Sequence, residues 1–357
     1  MQSFSSKISF RLKRRLNYYN ATINNVIQHY MSRDRADIIR KMVVSSKGRE
    51  YVNRQLKNEI KKYSKEVFGN AGYWHWLVLY SELREDFKKG WIPIDYYRFN
   101  FLPRVNPEKF MRISETKTMD HKTFNGFIIQ PIVLRINDIF YDPDLKQIDE
   151  KEAYLRLKNL EDEVVIKPDN GRQGQGVIFK APDRINFYTL PKNTDLVFQR
   201  KVYQHESIEK IHTHSVNTFR VLSFINKKGE IEIKFIILRF GAGGKRVDNM
   251  NAGGGWLYIY PDGKGATEAY NKYGISIGDK HPDTGVKFSS LKFPYYEKIS
   301  CFCRKAHEKF PYTKVIGWDV YLDKDGEPNL IEWNANNPTI DVVEAHYGPF
   351  FKPEEIM

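Results

Sequence analysis

The chain has 357 residues, of which 41% are hydrophobic and 28% are charged, and its formal net charge is +13. These fractions exclude a largely disordered chain, and no apolar run approaches the roughly 18 residues that a membrane-spanning helix needs. The basic N-terminus is not followed by an apolar core, so a cleaved secretory signal is not indicated.

Basic residues are concentrated near the start of the chain, at Lys7–Arg15 and Arg33–Lys65. Such a surface attracts nucleic acid, an anionic membrane leaflet or an acidic polymer, or else it only solvates helices. No helix-turn-helix, zinc finger or RNP motif is present, so nucleic acid is not expected as a partner. Cys301 and Cys303 are too close in sequence to bridge easily, which favours a cytoplasmic protein with reduced thiols, with the inner membrane surface as an alternative location.

Residues 1–100 are predicted to be mainly helical. Apolar residues fall near helical spacing at Tyr51, Leu56, Ile60 and Tyr63. Tyr73–Leu83 is an aromatic stretch typical of a buried helix. Glycine and proline then interrupt the pattern, which places a boundary between Gly90 and Pro107.

From about residue 113 the pattern changes to mixed strand and helix. Thr118–Phe124 resembles a capped helix start, and an extended segment follows at Ile128–Leu134. Further strands are predicted at 162–167, 176–180, 194–201, 217–225, 231–240, 315–322 and 329–333. Because the last four of these form two hairpins, the pattern favours an α+β or mixed α/β fold over a doubly wound parallel sheet.

A glycine-rich loop follows the strand that ends at Lys167. Glycines at 171, 174 and 176 allow the backbone to approach phosphate oxygens, and Lys167 adds a positive charge fixed by its strand. No Gly-Lys-Ser/Thr follows, so this is not a Walker A loop, and the next element is a strand, so it is not a dinucleotide fingerprint. The alternative is an ordinary glycine-rich hairpin.

Three oxygen-bearing side chains, Asp319, Glu332 and Asn334, fall on the two strands of the last predicted hairpin. Alternate residues of a strand face the same way, so Glu332 and Asn334 share a face. Two carboxylates and an amide oxygen suit Mg²⁺ held together with triphosphate oxygens. A solvated hairpin with a salt bridge is the alternative.

In this order the motifs resemble those of the ATP-grasp superfamily and are most similar to the branch called sugar-transfer-associated ATP-grasp proteins. The resemblance covers roughly residues 113–345, and the first hundred residues lie outside it. It depends on Lys167-Pro168, Gly171–Gly176, Leu196–Val202, Asn217–Val221, Val247–Asn249, Gly253–Gly255, Gly317–Asp319 and Glu332–Asn334.

The resemblance implies an α+β ATP-grasp fold at 101–357, preceded by the mainly helical region 1–100. The lid subdomain would span about 160–205 and the metal-binding subdomain about 206–345. Residues implied to bind ATP are Lys167, Gly171, Gln173, Gly174, Gly176, Gln199, Arg200, Val202 and, at the ribose, Glu206. Asp319, Glu332 and Asn334 would hold Mg²⁺, with two ions expected. The chain departs from many relatives at the adenine hinge, where Gln199 replaces a glutamate.

Arg220 lies on a strand expected to face the nucleotide. Its guanidinium is a candidate to hold the γ-phosphate or a developing acyl phosphate, the alternative being a surface ion pair. Lys234 and Arg239 on the partner strand are weaker candidates. Two further groups are candidates for the acceptor pocket, namely His212 with His214, and Asn249 and Asn251 with the loop 252–255.

The resemblance implies catalysis by Arg220 and Lys167 in an ATP-dependent ligase. It would join a small amine, such as an amino acid, to a carboxylate on a sugar or glycan through an acyl phosphate, in surface-polysaccharide synthesis. The basic surface agrees with an acidic glycan or an anionic membrane. A phosphotransferase acting on a hydroxyl and a non-catalytic nucleotide-binding module are the alternatives.

Overall fold

The computed structural model describes residues 26–169, 171, 176–244 and 253–356. The predicted site residues Gln173, Gly174, Asn249 and Asn251 lie outside these ranges. The described helices are α1 (26–47), α2 (Arg54–Phe68), α3 (Trp74–Arg84), α4 (Ile94–Tyr96), α5 (Leu102–Val105), α6 (Glu108–Met111), α7 (Lys117–Thr123), α8 (Glu150–Lys158), α9 (Glu206–Glu209), α10 (Tyr296–Glu308), α11 (Asp341–Tyr347) and α12 (Pro353–Ile356).

The strands form two antiparallel sheets. They are β1 (Val133–Ile136), β2 (Ile139–Tyr141), β3 (Gln147–Ile148), β4 (Val164–Pro168), β5 (Ile178–Lys180), β6 (Leu196–Arg200), β7 (Thr218–Ile225), β8 (Ile231–Phe240), β9 (Gly255–Ile259), β10 (Ala269–Tyr270), β11 (Ser276–Gly278), β12 (Val315–Leu322) and β13 (Pro328–Asn334). A six-stranded sheet has the order β3-β2-β1-β6-β4-β5, and a seven-stranded sheet has the order β11-β10-β9-β8-β7-β12-β13. The α+β prediction and both predicted hairpins are therefore confirmed.

The first compact unit consists, among the described residues, of 26–103 together with 340–356. Trp76 and Tyr80 are fully buried, as expected of the aromatic stretch, and so is Trp91 beyond it. Buried Glu344 accepts hydrogen bonds from the backbone of Ile92 and Phe350, so helix α11, which carries it, is held to the earlier part of this unit. In the part of the chain described, no helix is both long and apolar enough to span a membrane.

The second compact unit, residues 104–339, contains both sheets. In the seven-stranded sheet, β12 is buried along its whole length, and Trp318 and Trp333 pack on Phe124 with ring centroids 5.4 and 5.0 Å from it. These rings bury a large apolar area, which fixes the central hairpin in one register.

In the six-stranded sheet, α8 packs its buried residues Ala153 and Leu157 into a core with Val164, Ile166 and Phe198. The N-cap of α8 is Asp149, whose side chain accepts a hydrogen bond from Glu152 N at 2.7 Å. The alternate residues of β4 reach this core, so Lys167, next after Ile166, points to the other face of the sheet. The packing of β4 therefore determines which way the predicted phosphate lysine projects.

Candidate active site

A row of charged side chains crosses one face of the seven-stranded sheet. Arg220 on β7 stands opposite Asp319 on β12, and Asp319 stands opposite Glu332 on β13. On the other side of Arg220, Arg239 on β8 pairs with Thr218, two residues along β7. Directly opposed residues of antiparallel strands share a face, so four adjacent strands place these groups side by side.

Asp319 is enclosed between two arginines. Arg220 Nε and Nη2 donate to its two carboxylate oxygens at 2.6 and 3.0 Å, and Arg239 Nη2 lies 3.0 Å from Oδ2. Burial acts to raise the pKa of Asp319, but the two guanidinium charges outweigh it and hold this pKa below its ordinary value. Asp319 is therefore ionised, and so are both arginines.

Gly317 leaves the space that the Arg220 side chain occupies. A Cβ atom at Gly317 would lie 3.3 Å from Arg220 Nη1 and 3.2 Å from Pro338 Cβ. Both distances are tighter than ordinary contacts, so a side chain here would press on the guanidinium. The glycine of the Gly-x-Asp motif therefore leaves room for the arginine side chain on the neighbouring strand.

Glu332 and Asn334 complete the predicted set of metal ligands. Asn334 stands opposite Gly317, on the same face as Glu332, and its Oδ1 accepts a hydrogen bond from Asn337 N at 2.9 Å. The Glu332 side chain remains 31% exposed. Hard oxygen donors on one face fit Mg²⁺, although Asp319 would share its oxygens with the two arginines. The described residues contain no cluster of three or more His, Cys, Asp or Glu able to hold a metal ion by themselves.

Lys167 enters the site from the six-stranded sheet. Its partner across the strand pair is Val197 on β6, and it lies one residue beyond the last pairing of β4 with β5, between Ile166 and Ile178. Burial lowers the pKa of Lys167 to about 8, opposed by the negative charge of Glu332. An ammonium group in these surroundings gains strongly from a phosphate partner.

Two residues of α7, Lys117 and Asp120, belong to the site but were missed by the sequence analysis. Lys117 Nζ lies 3.8 Å from Glu332 Oε1, and Asp120 accepts a hydrogen bond from Trp333 Nε1 at 2.7 Å. Burial raises the pKa of Asp120 to about 8, against the effect of that hydrogen bond. Their spacing of three residues along a short helix is the one sequence signal that groups them.

A narrow cavity connects the two lysines with the predicted adenine hinge. Buried Gln199 donates from Nε2 to Ile129 O at 3.0 Å, so its side chain is engaged within the protein. The cavity is lined by Lys117, Asp120, His121, Ile128, Ile129, Pro131, Lys167, Val197, Gln199 and Ile331. Half of these lining residues are polar or charged, and the cavity volume of about 10 Å³ is that of a single water molecule.

The other predicted nucleotide contacts lie along the same segment and in the glycine-rich loop. Arg200 and Glu206 are exposed, and Val202 is half-buried. Gly176 has φ +77°, a conformation that favours glycine, and a Cβ atom there would lie 3.0 Å from Pro168 Cγ. Gly171 is described and contacts Lys117 through its carbonyl oxygen.

The four weaker candidates, Lys234, Arg239, His212 and His214, have different surroundings. Lys234 pairs with Glu232 at 2.8 Å, whereas Arg239 on the same strand reaches Asp319. His212 is buried with its ring 5.6 Å from that of His281, while His214 is exposed. Of the two histidines, only His214 is freely accessible from solvent.

Comparisons with known proteins agree with the resemblance that the sequence motifs show. Residues 184–354, slightly less than half of the chain, match the family described as sugar-transfer associated ATP-grasp. No match was found among curated proteins.

Among solved structures, the chain is similar to the ATP-grasp ligase PsnB complexed with precursor peptide PsnA2 and AMPPNP, at 14% identity and a TM-score of 0.35, over 67% of this chain and 55% of that one. It is also similar to N5-carboxyaminoimidazole synthase from Aspergillus clavatus, at 12% identity and a TM-score of 0.39, over 65% and 46%. A third is the biotin carboxylase domain of the Hydrogenobacter thermophilus 2-oxoglutarate carboxylase, at 13% and 0.40, over 71% and 50%.

The chain spans about half the length of these structures, and likenesses of this size are distant. The family match and the geometry of the two sheets are therefore better evidence than these distant structures. Lys167 lies on one sheet, and Arg220, Asp319 and Glu332 lie on the other. Over residues 184–354 the chain is therefore similar to the sugar-transfer associated ATP-grasp family.

Proposed function

We propose that the protein is an ATP-dependent carboxylate-amine ligase. A substrate carboxylate oxygen would attack the γ-phosphorus of ATP, so that an oxygen-phosphorus bond forms and ADP leaves. An amine would then attack the acyl carbon of the resulting acyl phosphate, expel phosphate and lose a proton. The amide is the product, and ADP and phosphate are released once per turnover.

The observation that carries this proposal is the charged row on the seven-stranded sheet. Arg220 and Arg239 present two guanidinium groups on the same face as Asp319 and Glu332, and Lys117 lies beside Glu332. Transfer of a phosphoryl group needs little covalent help from a protein, because positioning and charge stabilisation account for most of the catalysis. A face with fixed cations next to carboxylates supplies both.

The roles of the side chains follow from their partners. Lys167 and Lys117 would neutralise phosphate oxygens. Some N–H groups of the Arg220 guanidinium would exchange Asp319 for the transferring phosphoryl group. Asp319, Glu332 and Asn334 would hold Mg²⁺, which when bound neutralises charge on the triphosphate. The backbone of Gln199 to Val202 would contact the base, and Glu206 would reach the ribose.

A sugar-linked carboxylate is the substrate class that we propose. The matched family is described as sugar-transfer associated, and a net charge of +13 attracts a polyanion such as a uronate-containing glycan. The amine would be a small molecule such as an amino acid. Synthesis of a surface polysaccharide in the cytoplasm is the process that fits both substrates.

Peripheral contact with an anionic membrane is a separate part of the proposal. Helix α1 exposes Ile27, Met31, Ile38 and Met42, which recur at intervals of four, seven and four residues and so lie along one face. Flotation with vesicles that contain anionic lipid should carry the wild type upward, and Ile38→Asp with Met42→Asp should reduce the floating fraction. Equal flotation of both proteins would contradict this part.

The test of the activity uses ATP, Mg²⁺ and pooled acidic glycans, with and without amino acids. Ligation predicts amine-dependent release of ADP and phosphate, and hydroxylamine should trap the acyl phosphate as a hydroxamate. Phosphate transferred to glycan hydroxyls would replace the ligase by a phosphotransferase. Bound nucleotide without turnover would indicate a non-catalytic module.

A further inference from the structure

The first turn of α7 is capped by a residue far away in the sequence. Thr116, which precedes the helix, makes no side-chain cap. Instead Asp169, just after β4, accepts hydrogen bonds from Thr118 N at 2.7 Å and from Thr118 Oγ1 at 3.1 Å. A carboxylate at this end satisfies a free backbone N–H and interacts favourably with the helix dipole.

The same segment binds the lysine next to Thr118. Lys117 Nζ donates to Asp169 O at 3.2 Å and to Gly171 O at 2.6 Å. Its third neighbour is Glu332, at 3.8 Å. The ammonium group therefore lies between the start of the glycine-rich loop and the hairpin that carries the proposed metal ligands.

Asp169 is itself held in place by the six-stranded sheet. Its backbone N–H donates to Asp195 O at 3.0 Å, directly beyond the pairing of Pro168 with Leu196. A lysine side chain loses considerable rotamer entropy when it is fixed in one position. Fixing it before a ligand binds is useful only where its charge must meet a group of that ligand. Here both the backbone and the carboxylate of one residue determine where Lys117 stands.

We propose that Asp169 is a positioning residue, which caps α7 through Thr118 and thereby sets the Lys117 ammonium at the phosphate end of the nucleotide site. This inference rests on the proposed function, because it assigns a phosphate to Lys117. Asp169 touches neither ATP nor the acceptor. Its effect on nucleotide binding is transmitted through Lys117.

A double-mutant cycle on nucleotide binding tests the proposal without either unknown substrate. Affinity for AMPPNP with Mg²⁺ is measured by calorimetry for the wild type, Asp169→Ala, Lys117→Ala and the double variant. Each single change should weaken binding about tenfold, as expected for a charged hydrogen-bonding group. Because one residue acts through the other, the double variant should bind no more weakly than Lys117→Ala.

Two further variants separate positioning from general loss of stability. Asp149→Ala removes the corresponding cap of α8, so it should lower the melting temperature as Asp169→Ala does while leaving affinity unchanged. Asp169→Asn keeps an acceptor for Thr118 N and should bind within about threefold of the wild type.

Independent effects that multiply in the double variant would overturn the proposal, as would equal affinity losses in Asp149→Ala and Asp169→Ala. Wild-type protein that does not bind AMPPNP would instead overturn the proposed function.

Discussion

The two sheets of residues 104–339 fix their charged groups in different ways. In the seven-stranded sheet, Asp319 is enclosed by Arg220 and Arg239, so each charge has an opposite charge within 3.0 Å. In the six-stranded sheet, Lys167 has no described carboxylate within salt-bridge distance, and burial lowers its pKa to about 8. Paired charges withstand burial, whereas a charge without such a pair is poised to take a ligand.

The largest effect is expected from Asp319→Asn, because it leaves two guanidinium groups beside a neutral amide. Breaking a buried charge pair costs about 3 kcal/mol of unfolding free energy. Urea unfolding measures the loss. Asp144→Asn removes an exposed carboxylate paired with Lys122 and should cost less than about 1 kcal/mol. Equal losses in the two variants would contradict the prediction that burial makes the Asp319 pairing more costly to break than an exposed ion pair.

The next largest effect is a loss of ATP turnover with little loss of stability, at a residue of the seven-stranded sheet. Glu332→Gln should reduce ATP turnover about 100-fold and shift the Mg²⁺ dependence to higher concentrations, because it removes a proposed metal ligand. Its unfolding free energy should change by less than about 0.5 kcal/mol. Glu327→Gln on the same hairpin, where the carboxylate pairs with Lys298, is the matched control and should retain full turnover.

A pH titration probes the lysine of the six-stranded sheet. Below pH 8 the Lys167 ammonium is charged and would bind phosphate as proposed, and above pH 8 it is neutral in the free protein. Affinity for AMPPNP should therefore fall with rising pH beyond about 8, by at most about tenfold per pH unit. In Lys167→Met the decline should be smaller, and a decline that persists would be assigned to Asp120, which lines the same cavity and whose pKa is also raised to about 8.

The smallest effect is expected at the far end of the hinge. Exposed Glu206 is the predicted contact for the ribose hydroxyls, and Glu206→Gln should weaken AMPPNP binding about threefold, with no change in melting temperature. Glu209→Gln, also exposed and on the same helix, is the control. If the two variants bind equally well, the ribose contact belongs to another residue.

Local patterns in the sequence were sufficient for the hairpin geometry. Side chains alternate along a strand, so the spacing of Glu332 and Asn334 places them on one face, and the antiparallel pairing adds Asp319. The contacts of Arg239 and Lys117 were not accessible in this way. They depend on which strands become neighbours and on a cap supplied 51 residues downstream of Thr118. The return of 340–356 to the first unit likewise has no local signal.

Gly317 has a consequence for how this site varies among homologous sequences. The methyl group of an alanine there would lie 3.3 Å from Arg220 Nη1 and 3.2 Å from Pro338 Cβ, so the guanidinium and the proline would each have to move by a few tenths of an ångström. We therefore expect substitutions at 317 to be accompanied by changes at 220 or 338, and a mutational library that varies the three positions together should show this covariation.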